Sequence, residues 1–224
     1  MGATSFCKRD KEPGLLIILS GPSGVGKNTV LNRVLQEVDD ISYSVSATTR
    51  KPRPGEKHGV NYYFYDWDEF QRLIDQGELL EWAEFCGNRY GTPKHFVEKE
   101  IAAGNSVILD IDIKGAAQIR KTMPSAVKIF LLPPSLEVLR ERIIARGAES
   151  AEEIEKRLCA ARDEIKEISE YDYVVCNDDL DRAVEQIKAI ITAEKARVSR
   201  WLKYHNPSDL TQEDVASGGQ ASNH

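Results

Sequence analysis

Four short segments of the 224-residue chain are almost continuously apolar, and the stretches that follow them have apolar positions with a period near 3.6. Uninterrupted apolar runs are typical of strands buried on both faces of a parallel sheet, whereas the longer period is typical of helices. The predicted strands are 15–20, 106–111, 127–132 and 173–176, and the predicted helices are 94–103, 114–121, 135–146, 151–169 and 180–204. This alternation predicts an α/β fold with a parallel sheet flanked by helices.

Residues 41–92 interrupt this rhythm. Apolar and polar positions alternate there over short stretches such as ISYSVS, YYFY and LLEWAEF. Such alternation predicts antiparallel strands with one face in solvent, as in a lobe inserted into the core. The two ends of the chain, 1–13 and 206–224, are polar and are predicted to be disordered.

Composition excludes several classes of protein. A formal net charge of −6 argues against nonspecific nucleic-acid binding. The four cysteines form no C-x-x-C pair, so reduced thiols are expected and a disulfide scaffold is not. No apolar run is long enough to cross a bilayer, and the first residues lack a secretory apolar core. We therefore expect a cytoplasmic protein with neither a membrane nor a nucleic acid as partner.

The sequence GPSGVGKN follows the first predicted strand and precedes a helical pattern that runs to Val38. In a phosphate-binding loop, glycines let backbone N–H groups converge on phosphate oxygens, and a lysine reaches the terminal phosphates. The residues predicted to bind ATP in this way are Gly21, Pro22, Ser23, Gly24, Val25, Gly26, Lys27, Asn28 and Thr29. The chain is thus expected to bind a nucleoside triphosphate.

A basic pair lies at the start of the predicted lobe, in SATTRKPR. Arginine forks match phosphate oxygens, so Arg50 and Arg53 are candidates to clamp a monophosphate, and Tyr62 and Tyr90 are candidates to add hydroxyl donors. The alternative is that both arginines are solvated surface charges. The proline-stiffened segment and the tyrosines favour the clamp.

Acidic residues form a third cluster. Asp110 ends an apolar strand, where an aspartate commonly enters the Mg²⁺ shell opposite a phosphate loop. Asp112 follows two residues later and is expected on the same face of that strand. Glu81 is a charge within an apolar stretch. Its position fits an outward-facing strand residue and a pocket carboxylate equally well.

Taken together these stretches closely resemble the guanylate kinases. The similarity includes GPSGVGK, VSATTRKPRPGE, NYYF, LLEWAEF, RYGT, ILDIDIKGA, RERIIARGAESAEEIEKRL and VVCNDD, in the family's order, and covers roughly residues 14–200. The resemblance implies a P-loop NTPase core, an inserted GMP-binding lobe and a mobile lid. It also implies transfer of a phosphoryl group from ATP, with Mg²⁺, to GMP or dGMP.

The same resemblance implies roles for individual residues. Three residues are expected to face the guanine of GMP: Ser46, Glu81 and Asp112. Those expected to hold its phosphate are Arg50, Arg53, Tyr62 and Tyr90, with Thr92 bordering the same pocket. Lys27, Arg146 and Arg157 are the expected catalytic residues, with Arg140 and Arg142 as further lid arginines and Asn177 beside the adenine of ATP. The expected metal ligands are Asn28 and Asp110. The implied boundaries are core 14–44, 96–139 and 161–200, lobe 45–95 and lid 140–160.

Two positions depart from the family's pattern, and alternatives stay open. Asn28 replaces a Ser or Thr hydroxyl that would bind the metal, and Lys114 replaces a glutamine. The lid arginines are alternatively solvated helix residues paired with nearby glutamates. Other possible classes are a non-catalytic guanylate-kinase-like binding module, a P-loop kinase of a ribose phosphate and an adenylate-type kinase.

Overall fold

A computed structural model describes residues 12–85, 87–145 and 150–207. The strands are β1 (Leu16–Ser20), β2 (Ile41–Tyr43), β3 (Ala47–Thr48), β4 (Tyr63–Phe64), β5 (Leu79–Phe85), β6 (Asn88–Pro93), β7 (Ser106–Asp110), β8 (Val127–Leu132) and β9 (Tyr173–Cys176). The helices are α1 (Lys27–Glu37), α2 (Trp67–Asp75), α3 (Lys94–Ala102), α4 (Ile113–Thr122), α5 (Leu136–Ala145), α6 (Ala151–Lys166), α7 (Leu180–Lys195) and α8 (Val198–Trp201).

The main sheet has five strands in the order β2-β7-β1-β8-β9, and every neighbouring pair is parallel. Successive residues of β1 enter opposite layers, since a strand has a period of two. Ile17 packs in an apolar cluster with residues of α1 and α7, whereas Ile18 packs in a second cluster with residues of α3 and α4. The predicted α/β fold with a parallel sheet flanked by helices is confirmed, and continuous apolarity of the strands follows from burial on both faces.

A second sheet of four strands has the order β4-β3-β6-β5. Its β5–β6 and β3–β6 pairs are antiparallel, but its β3–β4 pair is parallel, so the prediction of purely antiparallel strands at 41–92 is wrong there. The same prediction is wrong for Ile41–Tyr43, which pairs parallel with β7 in the main sheet. The alternating pattern of that segment reflects an edge strand, which is buried less completely than the centre of the sheet.

Helix ends account for the other differences from the predicted elements. The predicted helix 180–204 is interrupted, because Arg197 adopts an extended conformation between α7 and α8. The predicted helix 151–169 becomes a 3₁₀ turn after Lys166. Helix α2 was not predicted, although Asp66 and Glu69 form a capping box at its start.

The predicted disordered ends lie mostly outside the described residues. Where the chain becomes described, Glu12 forms a 3.4 Å ion pair with Arg200, which also donates to the Pro13 carbonyl. Within the described ranges, none of the helices has both the length and the apolar content that a membrane span requires.

Candidate active site

The loop between β1 and α1 has the backbone geometry of a phosphate cradle. Gly24 and Gly26 have φ angles of 94° and 102°, a left-handed region that side chains disfavour. Gly26 is the N-cap of α1 and offers no capping side chain, so the N–H groups of Lys27 and Asn28 at the start of the helix remain available to an anion. The predicted position of this loop, between a buried strand and a helix, is what the structure shows.

Lys27, the first residue of α1, and Asp110, the last residue of β7, interact electrostatically near the carboxyl ends of β1 and β7. The ammonium of Lys27 donates to the Gly21 carbonyl at 2.6 Å, so the side chain folds across the loop. Asp110 pairs in register with Leu19, one residue before β1 ends. Burial raises the pKa of Asp110, and the nearby Lys27 charge opposes that rise.

Two side chains brace the loop from behind through the Val25 carbonyl. That oxygen accepts from Asn177 Nδ2 at 2.8 Å and from Arg142 Nη1 at 3.0 Å, while Arg142 Nη2 donates to the Asn177 carbonyl at 2.9 Å. Asn177, predicted beside adenine, is 7% exposed and lies against the loop itself. Arg142, predicted as a lid arginine, contacts the loop through backbone carbonyls.

Asn28 and Thr29 lie in the first turn of α1 and are exposed. The described residues contain no cluster of three His, Cys, Asp or Glu side chains that would hold a metal without substrate. Mg²⁺ is typically bound by one or two protein ligands together with phosphate oxygens and water. The amide oxygen of Asn28 and the carboxylate of Asp110 are oxygen donors of that kind, so the residues present fit a magnesium ion that arrives with a nucleotide.

The predicted phosphate clamp is partly assembled. The guanidinium carbon of Arg50 lies 5.2 Å from the centre of the Tyr62 ring, and the Tyr62 and Tyr90 rings lie 6.1 Å apart. Arg53 is exposed three residues further along. The structure thus brings Arg50, Tyr62 and Tyr90 together.

An unpredicted carboxylate joins this clamp. Glu56 accepts from Arg50 Nη1 and Nη2, both at 2.9 Å, and from the Arg53 backbone N–H at 2.7 Å. These bonds lower the pKa of Glu56, with the Arg50 hydrogen bond as the main cause. The signal for this contact was the tetrapeptide Arg-Pro-Gly-Glu, which is typical of a tight turn.

The predicted guanine-binding residues form a second, buried group. Glu81 is 5% exposed and accepts from the Thr92 hydroxyl at 2.7 Å. Burial raises its pKa to about 7, with the Asp112 charge adding to the rise and the Thr92 hydrogen bond opposing it. Its burial rules out the interpretation of Glu81 as an outward-facing strand residue.

Asp112 reaches this group in a way that the sequence did not indicate. The expectation that it shares a strand face with Asp110 is wrong, because β7 ends at Asp110. Asp112 is instead the N-cap of α4, and its side chain accepts from the Gly115 N–H at 2.8 Å. A capping carboxylate is fixed by the backbone, so its position beside Glu81 is rigidly defined.

Two residues of α4 control where the Glu81 carboxylate lies. Strand β5 has a register shift between Leu79 and Trp82, and Gln118 bridges it by donating to the Trp82 carbonyl at 2.6 Å and accepting from the Trp82 N–H at 3.2 Å. Gly115 leaves the room that the carboxylate fills, since a Cβ at this position would lie 2.4 Å from Glu81 Oε2.

Gly115→Ala is therefore expected to displace the Glu81 carboxylate and to raise the KM for GMP by about 100-fold. Misplacing a binding group by about 1 Å can lower the efficiency of a reaction by about that factor. The KM for ATP should stay within about twofold of the parental value, because the phosphate loop lies between β1 and α1 and Gly115 lies in α4. Steady-state kinetics with each substrate varied in turn measure this, and Lys121→Ala, an exposed position on the same helix, is the control. Equal rises in both constants would mean that the substitution perturbs the fold.

Ser46 and Tyr43 connect the two halves of the cleft. Ser46 lies between β2 of the main sheet and β3 of the second sheet, and its carbonyl accepts from the Tyr63 N–H at 2.9 Å. Burial raises the pKa of Tyr43, with Asp110 and Tyr62 adding to the rise and a hydrogen bond to Ser46 opposing it. Asp110 therefore interacts electrostatically with Lys27, with Tyr43 of the main sheet and with Tyr62 of the phosphate clamp.

Helices α5 and α6 share a small apolar core, formed by Leu139, Ile143, Ile154, Leu158 and Ala161. Between the two helices of this helical hairpin, Arg140 forms an ion pair with Glu155 at 2.5 Å. This is the pairing expected if Arg140 is a solvated helix residue. Arg157 is exposed on α6, and Arg146 lies outside the described residues.

One further carboxylate of α6 faces the phosphate loop. Burial raises the pKa of Glu164, and the Asp112 charge adds to that rise. The Lys27 charge and a hydrogen bond from the Ser23 backbone oppose it. Sequence reasoning missed this residue, because a helical glutamate among other charged residues gives no signal of its own.

A cavity of about 390 Å³ lies away from the phosphate loop and from Glu81. It is lined by Pro13 and Leu15, by the turn at 123–126, and by residues of α7 and α8. Ligands of parallel α/β sheets bind outside the carboxyl ends of the strands, whereas this cavity lies at the amino ends of β1 and β8. The group around Lys27 and Glu81 is therefore the candidate active site.

Parallel sheet, phosphate loop and adjoining acidic and basic clusters define a P-loop phosphotransferase. The sequence profile of the guanylate kinase family matches residues 14–194, and the chain belongs to that family. It is 54% identical over 191 residues to the guanylate kinase of Desulfitobacterium hafniense, covering 85% of this chain and 96% of that relative. It is 53% identical over 190 residues to the guanylate kinase of Caldanaerobacter subterraneus, covering 85% and 92%.

A solved structure agrees with this assignment. The crystal structure of guanylate kinase from Anaplasma phagocytophilum is similar with a TM-score of 0.71 and 39% sequence identity. The similarity covers 85% of this chain and 90% of that one. The resemblance noted from the sequence motifs is confirmed.

Proposed function

We propose that the protein transfers the γ-phosphoryl group of ATP to GMP, and also to dGMP, giving ADP and the nucleoside diphosphate, in the cytoplasm. The observation that supports this most directly is the position of Asp110. It interacts electrostatically with Lys27 at the start of α1, with Tyr43 of the main sheet and with Tyr62 of the phosphate clamp, so the two proposed phosphate sites adjoin one carboxylate. Two phosphate sites that meet in one cleft are what a direct transfer between nucleotides requires.

On the acceptor side, recognition of guanine rests on the buried group around Glu81. An ionised carboxylate accepts from the guanine N1–H and from the exocyclic amine, and the Thr92 hydroxyl fixes its orientation by donating to Oε1. Ser46 and Asp112 border the base. Arg50, Arg53, Tyr62 and Tyr90 donate to the phosphate, and Arg50 is oriented by its contact with Glu56.

On the donor side, backbone N–H groups of the glycine loop would surround the β-phosphate, and the Lys27 ammonium would leave the Gly21 carbonyl for the terminal phosphates. Asn28 and Asp110 would hold Mg²⁺, which neutralises phosphate charge when it is bound. Because the acceptor phosphate is already ionised at neutral pH, a strong general base is not needed. Repulsion between the two phosphates is the obstacle, and the cations of the chain offset it.

The arginines of the helical hairpin complete this charge balance. Arg157, with Arg146, would reach the transferring phosphoryl group when a lid at 140–160 closes over the core, taken as 14–44, 96–139 and 161–200. The lobe at 45–95 would close from the other side over GMP. Closure excludes water and so limits hydrolysis of ATP.

An interaction module without catalysis is the alternative within the same family. Lys27 and Arg157 favour the enzyme, since a binding module has no need of cations at the phosphoryl group. A kinase of a ribose phosphate would have no use for a buried carboxylate beside Thr92. An adenylate-type kinase would meet the same carboxylate with a base that lacks the matching donors.

A coupled assay with ATP, Mg²⁺ and each of GMP, AMP, CMP and UMP tests the proposal. ADP should form rapidly with GMP only. Equal rates with AMP and GMP would contradict the assignment of the acceptor. Binding of GMP without any ADP formation would favour the binding module.

Guanosine affinity is expected to depend on pH through Glu81. The protonated carboxyl cannot accept at both positions, so affinity should rise about tenfold per pH unit below pH 7 and level off above it. Guanosine is the suitable ligand because it has no phosphate that titrates in this range. Calorimetry of the full chain, with Glu81→Gln as the control that should show a flat profile, measures this. A flat profile in the parent protein would exclude Glu81 as the acceptor.

The same carboxyl affects the unliganded protein in the opposite direction. Its pKa is higher in the folded state than the ordinary value of 4.5, so the folded protein favours the protonated form. The contribution of Glu81 to the free energy of unfolding is therefore present below about pH 4.5 and is lost as the pH rises through about 7.

A further inference from the structure

The segment from Arg50 to Glu56 closes on itself through a tight turn. The Glu56 N–H donates to the Arg53 carbonyl at 3.0 Å, and Gly55 has a φ angle of 89°. A proline followed by a residue with positive φ is the pattern of a type II turn, and Pro54 and Gly55 occupy those two positions. The turn directs the Glu56 side chain back towards Arg50.

The resulting ion pair is buried more completely than the Arg89–Glu84 pair of the same lobe, in which the Glu84 side chain is 56% exposed. The side chains of Arg50 and Glu56 are 15% and 18% exposed. Aromatic rings line the guanidinium, with the Arg50 Cζ at 5.2 Å from the centre of Tyr62 and 5.8 Å from that of Phe64. A bidentate pair held against aromatic rings has one defined orientation.

The N–H donors of Arg50 that are not used by Glu56 or Lys51 determine which further group the guanidinium can bind. A guanidinium has five N–H donors. Glu56 accepts one from Nη1 and one from Nη2, and the Lys51 carbonyl accepts from Nη1 at 2.9 Å. What remains is the Nε–H and the second Nη2–H, which lie on the same edge of the group and form a fork. No residue in the described part of the chain accepts from that edge of Arg50.

We propose that Glu56 is a positioning residue, which fixes Arg50 so that its Nε and Nη2 edge is presented to the phosphate of the acceptor nucleotide. This inference rests on the proposed function, in which Arg50 binds that phosphate. Glu56 stays in place when the phosphate arrives, because the turn and the Arg53 N–H hold it independently of the substrate.

The opposite role, a carboxylate that occupies the place of the phosphate and must leave, makes a different prediction. In that case neutralising Glu56 would remove a competitor and tighten GMP binding. If Glu56 positions Arg50, neutralising it loosens the guanidinium and weakens GMP binding.

Calorimetry with GMP and with guanosine on the ATP-free full chain distinguishes the two roles. Glu56→Gln is expected to weaken GMP binding by about tenfold or more, because a loosened fork loses its bidentate geometry, and to leave guanosine binding within about twofold. Glu78→Gln, which removes the charge of an exposed glutamate in the same lobe, is the matched control and should change neither.

A double-mutant cycle shows whether Glu56 acts through Arg50. On an Arg50→Lys background, which keeps the charge and removes the fork, Glu56→Gln should change GMP affinity by less than about twofold. Tighter GMP binding by Glu56→Gln, no change, an equal loss for guanosine, or additivity in the cycle would each overturn the inference. A parent protein that forms no GDP would instead overturn the proposed function, whatever the Glu56 variants do.

Discussion

Glu81→Gln is expected to remove most of the preference for GMP over AMP. A site that hydrogen-bonds a substrate group rejects an analogue without it by about 10⁴ or more, so the parent protein should favour GMP in kcat/KM by that order. With an amide at position 81, one acceptor becomes a donor that faces the donors of guanine. We expect kcat/KM for GMP to fall by about 10²–10³, while that for AMP changes by less than about tenfold.

The control for this substitution is Glu84→Gln, because Glu84 is an exposed residue of the same strand. Initial rates with each nucleotide varied at saturating ATP provide the measurement. A Glu81→Gln variant that keeps the parental ratio would show that selectivity comes from elsewhere in the cleft. A variant that loses activity with both nucleotides equally would point to damage of the lobe.

Lys27→Ala is expected to lower kcat on the order of 10³-fold, because the ammonium stabilises charge that develops on the terminal phosphates. GMP affinity should stay within about threefold, since the GMP contacts come from other elements. Rapid-quench or coupled kinetics give kcat, and calorimetry with GMP alone gives the affinity.

Loss of GMP binding in Lys27→Ala would mean that the two nucleotide sites are not separate. Lys188→Ala is a suitable control, because this lysine forms ion pairs on α1 and α7 away from the cleft. Retention of full activity by Lys27→Ala would contradict the mechanism.

The parts of the site that follow from local sequence were predictable. Strand β1, the glycine loop and the start of α1 adjoin in the chain, so glycine spacing and hydrophobic period suffice to place Lys27. The contact of Asn177 with Val25 joins residues 152 positions apart and has no local signal. The parallel pairing of Ile41–Tyr43 with β7 likewise depends on a strand that comes more than sixty residues later.

Glu81 shows why a correct pattern can leave two interpretations. In a regular strand, alternate residues share a face, and Leu79 and Glu81 would point the same way. The register shift between Leu79 and Trp82 breaks that alternation, and it is held by Gln118 of another element. Periodicity therefore could not decide the orientation of Glu81, and neither the turn that places Glu56 nor the room left by Gly115 has a periodic signature.

The brace behind the phosphate loop has a consequence for how the two ends of the enzyme communicate. Arg142, near the end of α5, shares the Val25 carbonyl with Asn177, and Ile143 of the same helix packs over Gly24, where a Cβ would lie 2.9 Å from Ile143 Cγ1. The carboxyl-terminal end of α5 thus contacts the phosphate loop directly, which is the loop proposed to bind ATP. If ATP binds to this loop as proposed, any coupling through these contacts is reciprocal. The factor by which an ordered hairpin raises the affinity for ATP equals the factor by which bound ATP favours the ordered hairpin.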